Sequence, residues 1–345
     1  MRPGLRSRIH RAAWSSCCPG KSTGDRTGVG RAGPTRGSPA QSGPVRFERV
    51  AAVWTSPRAP DGVDSSAAYA GRVDQAPVEI RAEALTRSFG TRTVLRSISL
   101  TVRSGEMVAI VGTSGCGKTV LLDHLTGLLT PDSGRVLAAD HTRGTVPAPL
   151  VDLAEIDSDR LDEVRLFWAI VFQRNALFSG TVYENIALWL REHTEMTEPE
   201  ILQRARESLR SASLDPDEVL GKDRDALSGG MAKRVAVARA IAEDPAVIFY
   251  DEPTTGLDPV VSGHVHELVW NTHHRRRADG LVRTSVIVTH DKELLRRIGP
   301  RVVMLDEGAV CYDGSYERFG SGDSCAAARQ YLRAMPVLHA AHKTD

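Results

Sequence analysis

The chain has 345 residues, of which 41% are hydrophobic and 25% are charged, so it can hold one large or two ordinary globular domains. Its net charge of +1 hides an uneven distribution: residues 1–76 carry 12 basic and 5 acidic side chains, and residues 77–345 carry 32 and 38. The acidic balance of the larger part argues against a polyanion-binding surface, and we expect no nucleic-acid partner. No run of about 18 apolar residues occurs, so we predict no membrane span in this sequence.

Residues 1–77 are predicted to be a disordered N-terminal extension. They are rich in Arg, Gly, Ser and Pro and show no clear periodicity, so they cannot bury enough apolar surface to offset the entropy of ordering. Three explanations stay open: a start codon assigned too far upstream, a targeting peptide, or a genuine tail. We favour the first, because a regular pattern begins abruptly at Val78.

The cysteines suggest a compartment. The five are Cys17, Cys18, Cys116, Cys311 and Cys325. They show neither C-x-x-C nor any metal-ligand spacing, and a disulfide at Cys116 would disturb the motif around it. A reducing, cytosolic compartment is the simplest inference.

Two alternating segments come first after the extension. Val78–Leu85 and Val94–Val102 place apolar residues at every second position, which predicts antiparallel strands with one buried face. Phe89 lies in the turn between them. Its ring is suited to stacking on a nucleotide base, although an aromatic packed within the hairpin fits the spacing about equally well.

The next segment has the features of a phosphate-binding loop. Met107–Val111 is an apolar run typical of a buried parallel strand, and apolar residues as far as Leu129 then recur at helical spacing. Between them the pattern G-x-x-x-x-G-K-[ST] is formed by Gly112, Thr113, Ser114, Gly115, Cys116, Gly117, Lys118 and Thr119, with Val120 next. The glycines let the backbone surround phosphate oxygens, the lysine reaches the β- and γ-phosphates, and the threonine hydroxyl ligates Mg²⁺. We therefore predict that the chain binds a nucleoside triphosphate.

A long connection and a buried strand follow the loop. Residues 140–163 are polar, contain proline and then become acidic, and we predict a surface connection there. The apolar run Leu166–Phe172 predicts a buried strand that ends at Gln173.

The middle of the chain is predicted to be helical. Residues 174–226 carry apolar residues at helical spacing, and Thr197 with Glu200 three residues later matches a capping box. Another helix is expected over 228–242, with Ser228 as its N-cap. Glycines directly after this serine leave the helix N-terminus open to an anion.

Two later strands end in polar side chains. Val247–Tyr250 is followed by Asp251 and Glu252, and Thr284–Thr289 is followed by His290. In open α/β sheets ligands bind at the carboxyl ends of the strands. These three side chains are therefore candidates for the active site.

The chain closes with a hairpin and a tail. Arg301–Leu305 and Ala309–Tyr312 are expected to pair around a tight turn. Residues 321–345 are predicted to be a C-terminal tail with a short helix within 323–335, anchored by Tyr331, Leu332 and Met335.

Taken in order, these motifs resemble an ABC (ATP-binding cassette) ATPase domain over residues 78–320. The motifs are Phe89, the phosphate loop, Gln173, Leu227–Gly230, Val247–Glu252, Gly256–Pro259 and His290. The resemblance implies an α/β P-loop NTPase fold, with a mixed RecA-like core sheet, an antiparallel β subdomain and a helical signature subdomain over about 174–242. It also implies an ATPase with ATP and Mg²⁺ as cofactors.

The resemblance further implies a role for each site residue. The catalytic side chains would be Glu252, His290, Gln173 and Lys118. The ligands of Mg²⁺ would be Thr119, Gln173 and Asp251. ATP would be bound by Phe89, by the loop from Gly112 to Val120, and by Ser228, Gly229 and Gly230 of a second copy. Glu252 would orient or deprotonate the attacking water, and the shared site would require a head-to-tail dimer.

Within the superfamily the chain most resembles the Mla/Mce-type lipid-transport ATPases. The details are Met231, Ala176–Phe178 after Gln173, Leu190–Thr194 and Arg329–Leu332. They imply an integral membrane permease and an Mce-domain lipid-binding protein as partners, a phospholipid or other hydrophobic cargo, and a position at the cytoplasmic face of the inner membrane. A subunit of a polar-solute importer remains an alternative. A soluble ABC ATPase acting on DNA or ribosomes is less favoured, because the chain has one cassette and no long coiled coil.

Overall fold

The computed structural model describes residues 76–174, 176–319 and 324–333. Residues 1–75 of the predicted extension and the predicted anchor Met335 lie outside this part of the chain. Ten strands are described: β1 Val78–Phe89, β2 Arg92–Arg103, β3 Met107–Gly112, β4 Ser133–Ala139, β5 Leu150–Asp152, β6 Trp168–Val171, β7 Val247–Asp251, β8 Thr284–Val288, β9 Arg301–Asp306 and β10 Ala309–Ser315.

The α-helices lie mostly between the later strands. They are α1 Lys118–Leu125, α2 Ser158–Arg165, α3 Val182–His193, α4 Glu198–Ser211, α5 Pro216–Val219, α6 Gly229–Ala242, α7 Pro259–His274, α8 Lys292–Ile298, α9 Tyr316–Phe319 and α10 Ala326–Arg333. The capping box predicted at the start of α4 is present, and the Thr197 amide donates to the Glu200 carboxylate at 2.7 Å. Helix α1 ends at Leu125, four residues before the apolar pattern ends.

The strands form two sheets. A four-stranded antiparallel sheet has the order β2-β1-β4-β5, and a six-stranded sheet has the order β10-β9-β3-β8-β7-β6. In the second sheet β9, β3, β8, β7 and β6 are parallel, and β10 is antiparallel to β9. This arrangement confirms the predicted mixed core sheet and antiparallel β subdomain.

Strand β7 shows why the core sheet is buried on both faces. Its residues alternate between two clusters: Val247 and Phe249 pack toward the antiparallel sheet and α1, while Ile248 and Tyr250 pack toward α3, α4 and α6. All four are fully buried. Each such side chain contributes about 1.5–3 kcal/mol on leaving water, which is why parallel strands read as continuous apolar runs.

A third apolar cluster lies beneath the last helix. This terminal cluster consists of the buried residues Ala109, Val111, Leu295, Val302, Met304, Phe319, Ala328 and Tyr331. Its members come from β3, β9, α8, α9 and α10. The short C-terminal helix predicted within 323–335 is therefore present over Ala326–Arg333, where Tyr331 is its buried anchor.

The surface position predicted for residues 140–163 is confirmed, because nearly all of these residues are exposed or partly buried, but the segment is more than a connection. This segment adds the edge strand β5 to the antiparallel sheet and forms most of helix α2. Asp140 is fully buried and accepts hydrogen bonds from the Thr142 amide at 3.2 Å and from the Thr142 hydroxyl at 2.5 Å. The Arg160 guanidinium of α2 also donates to the Asp140 carboxylate. Among residues 140–163 only Asp140 and Leu153 are buried, and the Asp140 carboxylate is satisfied by neighbouring polar groups of the same segment.

No helix in the described residues combines the length and apolarity needed to cross a bilayer.

Candidate active site

The predicted site residues converge because four neighbouring strands run parallel and end together. In the order β3-β8-β7-β6, Ile110 pairs with Val288, Val288 with Asp251, and Tyr250 with Val171. The chain that leaves each strand therefore emerges at the same sheet edge. These exits carry the phosphate loop, His290, Glu252 and Gln173 respectively.

Two glycines fix the path of the phosphate loop. Gly112 has φ 151°, and a Cβ there would lie 2.4 Å from the Leu305 carbonyl oxygen of β9. Gly117 has φ 106°, and its Cβ would lie 2.8 Å from the Leu95 side chain. Neither backbone conformation nor space admits a side chain at these positions, so the loop can turn tightly into the N-terminus of α1.

The loop's polar groups face outward and its cysteine faces inward. The Lys118 ammonium donates hydrogen bonds of 3.0 Å to the carbonyl oxygens of Gly112 and Thr113, which draws the loop into a ring. Thr119, the predicted metal ligand, is exposed on the first turn of α1. The Cys116 side chain is buried, and this burial raises the pKa of its thiol. Cys116 therefore contributes packing and a backbone N–H rather than a reactive sulfur.

Glu252 and His290 form the closest polar pair at this edge. The His290 Nδ1 atom lies 2.7 Å from the Glu252 Oε2 atom, and the Thr255 hydroxyl donates to the same oxygen at 3.2 Å. The Glu252 side chain is 12% exposed, whereas that of His290 is 47% exposed. Glu252 also has φ 47°, a left-handed conformation that is costly for a non-glycine residue.

Glu252 keeps this conformation because its backbone is held across the sheet. Its N–H donates to the Val288 carbonyl oxygen of β8 at 2.8 Å. Val288 lies two residues before His290, so the same contact sets the distance between the two side chains. A carboxylate with restricted access to water beside a half-exposed imidazole is a suitable arrangement for activating a water molecule.

Asp251 is buried next to this pair. Burial raises the pKa of its carboxyl group to about 6, the Glu252 charge adds to the rise, and Lys233 and Lys118 oppose it. Its Oδ1 atom is buried and has no hydrogen-bond partner among the described residues. A buried carboxylate oxygen without a partner is costly unless it binds a ligand, which fits a cation-binding role.

Lys233 is a residue that the sequence analysis missed. Its side chain on α6 is buried, and its ammonium donates to the carbonyl oxygens of Phe172 at 2.8 Å and Gln173 at 2.9 Å. Burial lowers the pKa of Lys233 to about 8, and the nearby Asp251 charge partly opposes the shift. Lys233 thus ties the backbone at Gln173, whose side chain is exposed, to the helix that begins after Ser228. Lysine at a helical position carries no sign of such a role in sequence alone.

A second missed group supports the segment that carries His290. The Asp291 Oδ2 atom lies 2.7 Å from the Nε2 atom of His266 on α7 and accepts a 2.7 Å hydrogen bond from the Thr254 hydroxyl. Its other oxygen caps α8, accepting from the Glu293 and Leu294 amides at 3.0 Å. Although burial alone would raise the pKa of Asp291, these hydrogen bonds lower it to about 2. The network joins the segment after Glu252 to the segment after His290.

Phe89 lies beside a cavity next to the phosphate loop. The ring is 43% exposed, and the Arg87 guanidinium lies 5.0 Å from its centroid. Phe89 pairs with Arg92, which lines a cavity of about 650 Å³. The cavity lining is Thr91, Arg92, Thr93, Val94, Arg96, Gly115, Cys116, Glu307 and Gly308. The residues of β2 in this lining were not predicted, because their alternating pattern reads only as a strand.

The predicted signature residues lie at the start of α6. The Ser228 hydroxyl caps this helix by accepting from the Met231 amide at 3.3 Å, which confirms the predicted N-cap. A Cβ on Gly230 would lie 2.5 Å from the Val261 side chain of α7, so this glycine permits close helix packing. Helix α6 packs against α3, α4 and the edge strand β6, whereas the phosphate loop follows β3 in the centre of the sheet.

Comparisons with known proteins agree with this geometry. The family model described as "ABC transporter" matches residues 95–255. The chain is 35% identical over 261 residues to the probable ribonucleotide transport ATP-binding protein mkl of Mycobacterium tuberculosis, covering 75% of this chain and 68% of the relative. It is 34% identical over 240 residues to the intermembrane phospholipid transport system ATP-binding protein MlaF of Haemophilus influenzae, covering 69% of this chain and 84% of the relative.

Solved structures give the same result. A dimeric ATP-binding cassette in a post-hydrolysis state, bound to ADP and Pi, aligns with a TM-score of 0.59 at 30% identity and covers 68% of this chain and 98% of that one. A likeness over 68% of the chain is more than a shared motif. The chain therefore belongs to the ABC transporter family, as an ATP-binding and ATP-hydrolysing subunit.

Proposed function

We propose that this ATPase dimerises head-to-tail and powers a separate membrane permease that moves phospholipid or another hydrophobic cargo. The observation that carries the ATPase part is the contact between Glu252 and His290 at the sheet edge that also holds the phosphate loop. Through the permease the chain would lie at the cytoplasmic face of the cell membrane. The permease would supply the passage through the bilayer.

ATP is proposed to bind along the phosphate loop. The backbone N–H groups from Gly112 to Val120 and the N-terminus of α1 would receive the phosphate oxygens, and Lys118 would exchange its loop carbonyls for the β- and γ-phosphates. Phe89 would stack on the base at the margin of the adjacent cavity. Arg92 and Arg96, which line this cavity, add positive charge beside the loop.

The chain's residues fit a divalent cation next to the triphosphate. Asp251 presents a buried carboxylate oxygen that has no hydrogen-bond partner in the described part of the chain, Thr119 an exposed hydroxyl, and Gln173 an exposed amide. All three are oxygen donors, as Mg²⁺ prefers, and we propose them as its ligands. When bound, Mg²⁺ would neutralise charge that develops on the phosphate oxygens.

Hydrolysis is assigned to Glu252 and His290. The Glu252 carboxylate would hold the attacking water and accept its proton, and the imidazole would keep the carboxylate oriented while its half-exposed ring contacts the γ-phosphate. Gln173, anchored through its backbone by Lys233, would report the state of the site to the permease. A positioned base of this kind contributes about 10²–10⁴-fold to the rate.

The proposed dimer completes each site. Ser228, Gly229 and Gly230 lie at the N-terminus of α6, where a helix offers backbone N–H groups to an anion. In a head-to-tail pair this end of one copy would face the γ-phosphate held by the phosphate loop of the other. The similarity to a dimeric cassette supports this arrangement.

The hydrophobic cargo is supported by one relative and opposed by another. MlaF is named for intermembrane phospholipid transport, whereas mkl is named for probable ribonucleotide transport. The Mla-like details Met231, Ala176–Phe178 and Leu190–Thr194 favour the lipid, with an Mce-domain protein as a further partner. The polar-solute importer remains the competing assignment.

Affinity purification of tagged Glu252→Gln protein from detergent-solubilised membranes distinguishes these assignments. This variant should retain ATP and hold the dimer closed, so that its permease copurifies. A polytopic permease with an Mce-domain protein and bound phospholipid, identified by mass spectrometry, is the expected result. A permease with a soluble solute-binding protein would overturn the lipid cargo, and ribosomes or DNA-repair proteins would overturn transport itself.

A further inference from the structure

Two thiols from different elements meet beside the terminal cluster. Cys311 lies in β10, and Cys325 lies directly before α10. Both side chains pack against the terminal cluster, and the Cys325 thiol helps to raise the pKa of the Cys311 thiol, so the two sulfurs lie close enough to interact. Both are free and only partly buried, so a small solute can reach them. The sequence does not reveal this pair, because its members are separated by a strand end and a turn.

A β-bulge turns Cys311 toward the helix. Val310 pairs with Leu305 and Tyr312 pairs with Met304, so Cys311 is an extra residue on its strand. Successive residues of a regular strand point to opposite faces, but here Cys311 and Tyr312 both pack against the terminal cluster. Bulges re-aim side chains in this way. The backbone of β10 thus places the thiol where α10 begins.

Cys325 occupies the N-cap of α10. Its sulfur accepts a 3.4 Å hydrogen bond from the Ala328 amide, one of the N–H groups that the helix itself leaves unpaired. Burial and the neighbouring Cys325 thiol raise the pKa of the Cys311 thiol, so Cys311 is the less reactive of the two sulfurs toward an oxidant.

We propose that Cys311 and Cys325 are a redox modification site, which a peroxide converts into a disulfide that fastens α10 to β10. The Cys325 sulfur attacks one oxygen of hydrogen peroxide, the O–O bond breaks, and a sulfenic acid and water form. The Cys311 sulfur then attacks the sulfenic sulfur, the S–O bond breaks, and a second water leaves with the Cys311 proton. Two thiols and one peroxide become one disulfide and two waters. A dithiol reductant returns the disulfide to two thiols and is itself oxidised to a disulfide.

The disulfide would strengthen a contact near the active edge. On α8 the Lys292 ammonium donates to the Leu332 carbonyl oxygen of α10 at 2.6 Å. Lys292 lies two residues after His290. Fastening α10 to β10 would therefore also restrain α8, the helix that begins two residues after His290. A reversible bond of this kind suits a reducing compartment, where disulfides form transiently in response to an oxidant.

The test uses the full-length protein, purified under reduction and then treated with stoichiometric hydrogen peroxide. Trypsin after alkylation separates residues 302–318, which contain Cys311, from residues 319–329, which contain Cys325. We expect a linked pair of these peptides that lacks two hydrogen atoms and separates on adding dithiothreitol. Amide exchange in α10 should slow at least about tenfold in the oxidised protein, since closing a loop of this size restrains the open state by more than that factor.

The matched control is Cys325→Ser. Serine is a good N-cap, so it keeps the cap of α10 and removes only the sulfur chemistry. This variant should form no linked peptide, and peroxide should leave its exchange in α10 unchanged. The proposal is overturned if the two wild-type cysteines stay free to alkylate after peroxide, oxidise singly to sulfinic acid, or link to Cys17, Cys18 or Cys116 instead. It is also overturned if the amides of α10 exchange as fast in the disulfide-linked protein as in the protein with free thiols.

Discussion

Two polar regions of this protein serve opposite purposes. At the carboxyl edge of the parallel sheet, Asp251 carries a buried oxygen that no other described residue bonds, and Glu252 is held in a costly backbone conformation. In the segment from residue 140 to residue 165, the buried Asp140 is bonded by Thr142 and Arg160. Polar groups left incomplete by the protein are available to a ligand, whereas completed ones hold the fold together. Substitutions in the first region should change chemistry, and substitutions in the second should change stability.

The largest effect is expected at Glu252. Glu252→Gln keeps the size of the side chain but removes the base, so ATP turnover should fall by about 10²–10⁴-fold while ATP affinity is retained. Steady-state phosphate release and equilibrium nucleotide binding measure the two quantities. Glu155→Gln, at an exposed position in the other region, should change neither. Near-normal turnover would remove Glu252 from the mechanism.

Lys118→Ala tests the phosphate loop on the same edge. The ammonium donates to two loop carbonyls and is proposed to bind phosphate oxygens, so its loss should weaken ATP binding about 10–100-fold, as for a lost charge-assisted hydrogen bond. Titration with a fluorescent ATP analogue measures this affinity. Lys222→Ala is the control, because within the described residues the Lys222 ammonium forms an ion pair with the neighbouring Glu218 on the surface. Unchanged affinity in Lys118→Ala would contradict the assignment.

Asp140→Ala tests the completed region. The change leaves the Arg160 guanidinium and the Thr142 hydroxyl without their buried acceptor, and the free energy of unfolding should fall by about 1–3 kcal/mol. Arg143→Ala removes a mostly exposed partner of Asp140 and should change it by less than about 0.5 kcal/mol. Denaturant unfolding measures both. A loss of ATP turnover in the Asp140 variant without loss of stability would contradict the assignment of chemistry to the first region and stability to the second.

The same carboxylate makes stability depend on pH. Burial tends to raise the pKa of Asp140, but the Thr142 hydroxyl and the Arg160 guanidinium outweigh this and lower it. A lowered folded-state pKa contributes stability that is present above the unfolded value, near pH 4, and is lost as pH falls through the folded value. The difference in unfolding free energy between wild type and Asp140→Ala should therefore shrink below about pH 4. If this difference stayed constant with pH, the charge of the Asp140 carboxylate would not be the source of its contribution to stability.

The smallest effect is expected at His266, which links the edge to the fold behind it. His266→Gln weakens one of the hydrogen bonds that position Asp291, worth about 1 kcal/mol, and should lower ATP turnover roughly three- to tenfold with an unchanged KM for ATP. His264→Gln, on an exposed position of the same helix, is the control and should retain full turnover. A higher KM with an unchanged kcat would place His266 in nucleotide binding instead.

Local patterns predicted most of the elements that form the edge. The apolar run Met107–Val111 and the glycine pattern after it predicted strand, loop and helix correctly, because the spacing of glycines and apolar residues constrains only the backbone nearby. The roles of Glu252, His290 and Gln173 stay predictions until the variants are measured. Residues 140–163 lie mostly at the surface as predicted, but their strand, their helix and the buried Asp140 were not predicted, because composition does not say which polar groups bond to each other.

The amino-acid sequence by itself determined the order of the strands and helices, the phosphate loop and the family to which the chain belongs. These depend on periodicities and motifs whose physical causes act over a few residues. Only the tertiary structure decided which distant groups meet: His290 with Glu252, Lys233 with the backbone at Gln173, His266 with Asp291, and Cys311 with Cys325. Such contacts follow from strand order, register and a single bulge, which depend on packing across the whole sheet.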